Sequence, residues 1–197
     1  MAGVSLRAAI LGFLELEATS GYTLKQRFAG SVGSFWRVTQ SQIYRELHGL
    51  ERDGLVAAQR VPGDGKPDRK LYENTAAGRA ALQRWLREPL EPLQLRHPLL
   101  LKLVFAADIE PAALDAILAQ YDAALRATRA DYAQRLHAPQ IFALARSRRE
   151  AEIWRLSIEH GLAWCAMEAA WIKTARARLG RAAPARRRAR ATRKPGR

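Results

Sequence analysis

The stretch TQSQIYRELHGLERDGLV, residues 39–56, decides the fold of this chain. Thr39 and Gln42 have the T-x-x-Q spacing of a capping box, which predicts that a helix begins here. Apolar residues then recur at i, i+4 and i+7 on one face, namely Ile43, Leu47 and Leu50. Gly54 supplies the stop for this helix. The stretch therefore predicts an amphipathic helix over 39–53 with one buried face.

Two shorter helices are predicted before this one. Residues 4–17 carry apolar side chains at helical spacing, from Leu6 to Leu14. Ser20 is a good N-cap for a second helix over 21–29, because its hydroxyl can accept a bond from an unpaired N–H of the first turn. The two segments are separated by a Ser-Gly pair that breaks the helical pattern.

The period of the sequence changes after the stop glycine. Residues 55–61 and 69–74 flank PGDGKP, a run of turn formers, and together predict a β-hairpin with a long loop. Thr75 then caps a helix predicted over 76–88. Three short helices, a hairpin and one more helix form a winged helix-turn-helix pattern, in which residues 39–53 are the recognition helix.

The second half of the chain is predicted to be helical. Three prolines mark a linker over 89–98, since proline stops helices, and helices follow over 99–106, from Pro111 to His137 and over 146–179. The apolar stripe of the last helix is too wide for a two-helix hairpin to cover, which favours a partner chain. The expected domains are a winged helix-turn-helix domain over 1–88, a helical domain for dimerisation and ligand sensing over 99–180, and a basic disordered tail over 181–197. The expected fold class is mainly α with a small β-hairpin wing.

Composition narrows the class of protein. The chain has 197 residues with 33 Lys+Arg against 19 Asp+Glu, a net charge of +14, and the tail concentrates basic residues without any acidic one. A single cysteine, Cys165, excludes an internal disulfide framework and a multi-cysteine metal site. No stretch approaches the roughly 18–20 apolar residues that cross a bilayer. These features predict a cytoplasmic protein without a membrane partner, whose tail either attracts nucleic-acid phosphates or only solubilises the chain.

The outer face of the recognition helix carries hydrogen-bonding groups and no acidic residue. At 100° per residue, the side opposite the apolar face holds Ser41, Arg45, His48 and Arg52, with Tyr44 on its flank. Such a face suits base edges in a major groove, and the basic wing suits phosphates. A solvated helix face is the alternative. The predicted DNA-binding residues are Thr39, Gln40, Ser41, Gln42, Tyr44, Arg45, His48, Lys66, Arg69 and Lys70.

Several motifs resemble the PadR family of bacterial transcriptional regulators. They are SGYTL at 20–24, FWRVTQSQIYRELHGLERDGLV at 35–56, GKPDRKLYENTAAGR at 65–79, HPLLLKLVFA at 97–106 and HGLAWCAMEAAWI at 160–172. The resemblance implies a homodimer whose winged helices bind a palindromic double-stranded DNA operator and whose C-terminal helices dimerise. It also implies repression and, for some members, a response to small aromatic or phenolic compounds. Thr39-Gln40 stands where phenolic-acid-responsive members often have serine and histidine.

Enzyme chemistry finds little support in the sequence. The four histidines are scattered, with no His/Cys or His/Asp cluster at ligand or triad spacing, so no catalytic residue, metal or cofactor is expected. Cys165 is expected to be a small buried apolar residue. Four aromatic residues could line a ligand cavity, although plain core packing is the favoured interpretation; they are Tyr121, Trp154, Trp164 and Trp171.

The sequence thus predicts a dimeric winged-helix transcriptional regulator, a ligand-responsive repressor. The alternative is a sequence-indifferent nucleic-acid packaging protein driven by the basic tail. The two differ in the ratio of operator to random-DNA affinity, which should reach about 10³ or more for a regulator.

Overall fold

The chain divides into two compact units, Met1–Gln94 and Leu95–Arg197, so the division falls inside the predicted linker. The computed structural model describes residues 6–31, 36, 38–62, 69–90, 92 and 96–181. Residues 182–197, which make up nearly all of the predicted disordered tail, lie outside these ranges.

The described residues of the first unit form four helices and three strands. They are α1 (Leu6–Leu14), β1 (Thr19–Ser20), α2 (Gly21–Gly30), α3 (Gln40–Arg52), β2 (Val56–Val61), β3 (Arg69–Asn74) and α4 (Ala76–Trp85). The predicted inner face of α3 is completely buried, since Ile43, Leu47 and Leu50 have no exposed surface. They join one apolar core with side chains from α1, α2 and the sheet. The helix-turn-helix with an adjoining hairpin is confirmed.

The sheet has a third strand that the sequence analysis missed. β1 pairs antiparallel with β3, Thr19 opposite Tyr72 and Ser20 opposite Leu71, and the strand order is β1-β3-β2. Ser20 also caps α2, because its Oγ accepts a hydrogen bond from the backbone N–H of Thr23 at 3.2 Å. The predicted break between the first two helices is therefore also the edge strand of the wing.

Two glycines allow the connection from α3 to β2 and the close packing of α4 against the start of β2. Gly54 follows α3 with φ +71°, a left-handed conformation that favours glycine. Gly78 of α4 lies directly against the backbone, and a Cβ built there would be 2.0 Å from the carbonyl oxygen of Leu55. Any side chain at residue 78 would push α4 away from the start of β2.

The second unit is a helical pair with two short helices. Its helices are α5 (Pro98–Val104), α6 (Pro111–Leu136), α7 (Pro139–Phe142) and α8 (Arg148–Leu179), with a 3₁₀ turn at Ala106–Asp108. α6 and α8 run antiparallel and bury residues seven positions apart, as in a coiled coil. The buried residues are Leu118, Leu125 and Tyr132 on α6, and Ile158, Cys165 and Ile172 on α8.

Some element boundaries differ from the sequence expectation. α1 is shorter than 4–17 as far as it is described, and α4 ends at Trp85 instead of residue 88. Leu86 follows the helix as its C-cap and is 58% exposed, so it does not extend the apolar face of α4. Pro139 begins the four-residue helix α7. Among the described residues, no helix is long and apolar enough to span a membrane.

We predict that Gly161→Ala destabilises the second unit. Gly161 faces the ring of Tyr132, and a Cβ there would lie 2.3 Å from the ring carbon Cζ, so α6 and α8 must separate or the ring must leave its site. Overpacking of this kind costs about 1–3 kcal/mol. Chemical denaturation measures the free energy of unfolding. Gly12→Ala in α1 is the matched control, because a Cβ there meets no atom within 4 Å, and unchanged stability of Gly161→Ala would contradict the packing described.

Candidate nucleic-acid interface

The N-terminus of α3 is fixed by the predicted capping box. The backbone N–H of Gln42 donates to Oγ1 of Thr39 at 3.3 Å, and the backbone N–H of Thr39 donates to Oε1 of Gln42 at 2.9 Å. The Thr39 hydroxyl also donates to the same Oε1 at 2.9 Å. Both side chains are therefore used to fix the start of α3, so their main role is to position this helix.

The face opposite the apolar stripe of α3 is open. Ser41, Arg45, His48 and Arg52 are all exposed. The Arg45 side chain is 72% exposed, and its Nε lies 3.8 Å from Oε1 of Glu46, a distance too long for a hydrogen bond. This face keeps its donors and acceptors available, as a groove-reading helix requires.

Besides the shared apolar core, α3 contacts α2 through Tyr44 and Gln40. Tyr44 is half-buried, and its ring lies so close to Gly21 that a Cβ there would be 2.7 Å from Cε1 of the ring. Nζ of Lys25 in α2 lies 3.5 Å from Oε1 of Gln40 in α3. The exposed Lys25 therefore extends the basic surface onto α2.

The wing is braced against α3 by one ion pair. Nζ of Lys70 donates to Oε2 of Glu51 at 2.8 Å and lies 5.3 Å from the ring centre of Tyr72. The hydrogen bond to Glu51 raises the pKa of Lys70 above its usual value. The charge of Lys70 is thus largely satisfied within the protein. Arg69 is exposed, and Lys66 lies outside the described residues.

Two exposed cations next to α3 are absent from the predicted DNA-binding set, in addition to Arg52, which the sequence places on the outer face of α3 only. They are Lys25 on α2 and Arg60 on β2, both exposed. The signal for Arg60 is the hairpin register, in which Arg60 stands opposite Lys70 and so shares its face of the sheet. Neither register nor face can be read from the sequence, because the loop between the strands is long.

The second unit holds a polar cluster around one predicted ligand residue. The hydroxyl of Tyr121 lies 3.0 Å from Nε2 of His97 and donates to Oε2 of Glu168 at 3.3 Å. His97 also caps α5, since its Nδ1 accepts from the backbone N–H of Leu100 at 3.4 Å. Burial, followed by the nearby Glu168 carboxylate, raises the pKa of Tyr121 to about 12. Tyr121 thus serves as a hydrogen-bonding link between helices of this unit.

The three predicted ligand tryptophans occupy different environments on α8. Trp154 and Trp171 are half-buried, whereas Trp164 is 36% exposed. A cleft of about 700 Å³ lies between α6 and α8, but none of the four predicted aromatic residues lines it. Their role in ligand binding stays a prediction.

The cleft between α6 and α8 has a charged rim and an apolar floor. Arg176 makes two bonds of 2.7 Å to Asp115, and Arg126 binds Asp122 at 2.5 Å. The rim also carries Arg129 and Lys173, while the floor includes Leu125, Cys165 and Ile172. Cys165 is 1% exposed, as expected, and burial raises the pKa of its thiol. No group of three or more His, Cys, Asp or Glu suited to a metal occurs in the described part of the chain.

Each of the two units matches a known protein family. Residues 10–84 match the transcriptional regulator PadR-like family, and residues 95–180 match the virulence activator alpha C-term family. The chain is 46% identical over 89 residues to the probable transcriptional regulator Rv1176c of Mycobacterium tuberculosis, covering 45% of this chain and 47% of that protein. It is 33% identical over 102 residues to the negative transcriptional regulator PadR of Bacillus subtilis, covering 51% and 56%. The chain thus spans about half the length of these curated relatives.

Solved structures share the fold over nearly the whole chain. Bacillus subtilis PadR in complex with operator DNA has a TM-score of 0.74 at 24% identity, covering 88% of this chain and 98% of that one. The same protein with p-coumaric acid gives 0.66 at 22% identity, covering 90% and 96%. The Vibrio cholerae virulence activator AphA gives 0.68 at 26% identity, covering 89% and 98%.

The fold is that of a winged-helix regulator with an added helical unit. Residues 10–84 are a domain of the PadR-like family of transcriptional regulators, and residues 95–180 match the virulence activator alpha C-term family. The family matched by residues 10–84 is one of transcriptional regulators.

We predict that Tyr121 makes the stability of the second unit depend on alkaline pH. Its pKa of about 12 exceeds the usual 10.0 of a tyrosine in the unfolded chain. The resulting stabilisation is complete below pH 10 and is lost as the pH rises toward 12, because the unfolded state ionises first. Denaturant titrations at pH 9 to 12 should show a steeper loss for wild type than for Tyr121→Phe. Tyr22→Phe, which changes a tyrosine that is 56% exposed, is the control and should follow wild type.

Proposed function

We propose that the protein is a DNA-binding transcriptional regulator that reads an operator with the exposed face of α3. The observation that carries this proposal is the separation of the two faces of one helix. The apolar face is fully buried, while the opposite face is exposed, contains no acidic residue and keeps its polar groups free of the capping bonds. A rigid helix with such a face is the element that enters a major groove.

Arg45, His48 and Ser41 are the proposed base-reading residues. Arginine can form two parallel bonds to O6 and N7 of guanine, and serine or histidine can bond to several base edges. Thr39 and Gln42 set the position of the helix start. Gln40 at the first turn of α3 and Lys25 on the neighbouring α2 add further DNA contacts. Tyr44 holds the angle between α2 and α3 through its contact with Gly21.

We predict that Arg45→Ala lowers operator affinity by about 1–3 kcal/mol, the usual contribution of a base-reading arginine. Folding should be almost unaffected, because the side chain is largely exposed. A duplex selected from a randomised library by the full-length protein serves as the operator, and fluorescence anisotropy measures its affinity. Arg84→Ala removes the same charge from an exposed site on α4 and is the matched control. Equal affinities for Arg45→Ala and Arg84→Ala would rule out this reading face.

We further propose that the regulator is a homodimer joined by the second unit, and that its operator is palindromic. α8 has a second apolar stripe besides the one packed on α6, with Ile153, Leu156, Trp164 and Met167 between 36% and 56% exposed. At 100° per residue these four lie within one 80° sector, on a different side from Cys165 and Ile172. On α5, Leu101, Val104 and Phe105 are also exposed, at 63% to 78%. Exposed apolar patches of this kind mark protein interfaces.

We predict that the double variant Leu156→Glu and Met167→Glu is monomeric, because two carboxylates cannot be buried unpaired in an apolar interface. Sedimentation equilibrium measures the mass directly. The control is Ala166→Glu, which places the same charge on an exposed position of α8 outside the stripe and should leave the dimer intact. Operator affinity should fall when dimerisation is lost, since a single half-site lacks the effective-concentration gain of a linked pair. A monomeric wild-type protein would contradict both the dimer and the palindrome.

Repression and a response to a small aromatic or phenolic effector are proposed from the relatives. The Bacillus subtilis relative is named a negative regulator, and one of its structures contains p-coumaric acid. In this chain the α6–α8 cleft, with Arg129 and Lys173 above an apolar floor, suits the carboxylate and ring of such a compound. A regulator of chromosomal genes would act in the cytoplasm.

The alternative, sequence-indifferent packaging, is favoured only by the basic tail. It predicts similar affinities for the selected operator and a scrambled duplex, whereas a regulator should prefer the operator by about 10³ or more. The anisotropy measurements on both duplexes decide between the two functions.

A further inference from the structure

We propose that Arg60 is the phosphate-contacting residue on the described strands of the wing, β2 and β3, in place of Arg69 and Lys70, which the sequence favours there. The inference rests on the proposed function and adds to it a residue on β2 that the sequence pattern did not single out. It follows from the register of the hairpin, from the ion pair that engages Lys70, and from the exposure of the two arginines.

The register sorts the basic residues of the hairpin onto two faces. Residues directly opposite each other in an antiparallel pair share a face, and successive pairs alternate. Val56 stands opposite Asn74 and Ala58 opposite Tyr72, and these pairs face the core. The next pair on the same face is Arg60 with Lys70.

Arg69 belongs to the other face of the hairpin. It stands opposite Val61, in line with the pair of Ala57 and Glu73, both of which are exposed. The face that carries Lys70 is the one next to α3, because Lys70 reaches Glu51 of that helix. Arg69 therefore projects from the side of the wing that faces away from the recognition helix.

Of the two cations on the α3 side, only Arg60 has its charge available. Lys70 is paired with Glu51 at 2.8 Å, and its neutralisation by a carboxylate reduces its attraction for a phosphate. Arg60 is exposed, and no ion pair to it occurs among the described residues. An arginine in this position, beside a helix that lies in the major groove, can bind the phosphates at the edge of that groove.

A phosphate contact has a signature that a structural role does not. Each phosphate neutralised contributes about −0.9 to the slope of log affinity against log salt, on any DNA sequence. Arg60→Ala should therefore flatten the slope by about 0.9 per subunit, or about 1.8 for a dimer, on the selected operator and on a scrambled duplex alike. The ratio of the two affinities should stay unchanged, because phosphates carry no base information.

The experiment is a salt series from 50 to 200 mM, by fluorescence anisotropy, on the full-length protein. Three variants are compared with wild type. Arg60→Lys should keep most of the slope, since it keeps the charge. Arg69→Ala is the matched control on the opposite face and should keep the full slope. Thermal melts check that every variant is folded, which is expected for exposed positions.

The outcomes separate this inference from the proposed function. If wild type prefers the selected operator but Arg60→Ala leaves the slope unchanged, the inference is wrong and the proposed function stands. The inference is equally wrong if Arg69→Ala flattens the slope as much as Arg60→Ala. If wild type shows no preference for any duplex, the proposed function fails, and the assignment of Arg60 as a wing contact of a regulator fails with it.

Discussion

The burial of one face of α3 is the constraint on which the rest of the first unit depends. Ile43, Leu47 and Leu50 are completely removed from solvent, and each such side chain is stabilised by about 1.5–3 kcal/mol on burial. A rotation of the helix about its axis would expose this face, so the direction of the opposite face is fixed by the core. The proposed reading surface is rigid for the same reason that the fold is stable.

Polar groups near this surface divide into those used by the fold and those left for a partner. Thr39 and Gln42 satisfy each other at the start of α3, and Lys70 is held by Glu51. A polar group engaged in this way gains less from a new contact, because the internal bond must be given up first. Arg45, His48 and Arg60 have no such bond to lose among the described contacts. The contribution to DNA binding is therefore expected from groups that the fold does not use.

Local signals in the sequence were sufficient to predict α3. The capping box, the spacing of Ile43, Leu47 and Leu50, and the glycine stop at residue 54 all act within one helix, and the structure confirms each of them. The two-residue strand β1 was missed because it has no periodicity of its own and forms only by pairing with β3, more than 50 residues later in the chain. What depends on distant partners cannot be read from local spacing.

The same limit applies to the candidate site. The face of Arg60 depends on the strand register, and the pairing of Lys70 depends on where α3 places Glu51. The sequence places three tryptophans on the helix α8. It does not show that Trp164 is exposed while Trp154 is half-buried. The residue types were predictable, whereas their engagement with the rest of the protein was not.

The two faces of α8 explain how a small reading surface can suffice for specific binding. One face packs on α6, where Gly161 leaves room for the ring of Tyr132, and this contact cannot also cover the exposed stripe that includes Leu156 and Met167. In the proposed dimer a second chain covers that stripe. Each subunit then offers only a few base contacts, worth about 1–3 kcal/mol apiece. Linking two half-sites raises the effective concentration of the second after the first has bound, so the contacts of both subunits count toward one binding event. In the proposed dimer, the C-terminal unit would thus contribute to specificity without contacting a base.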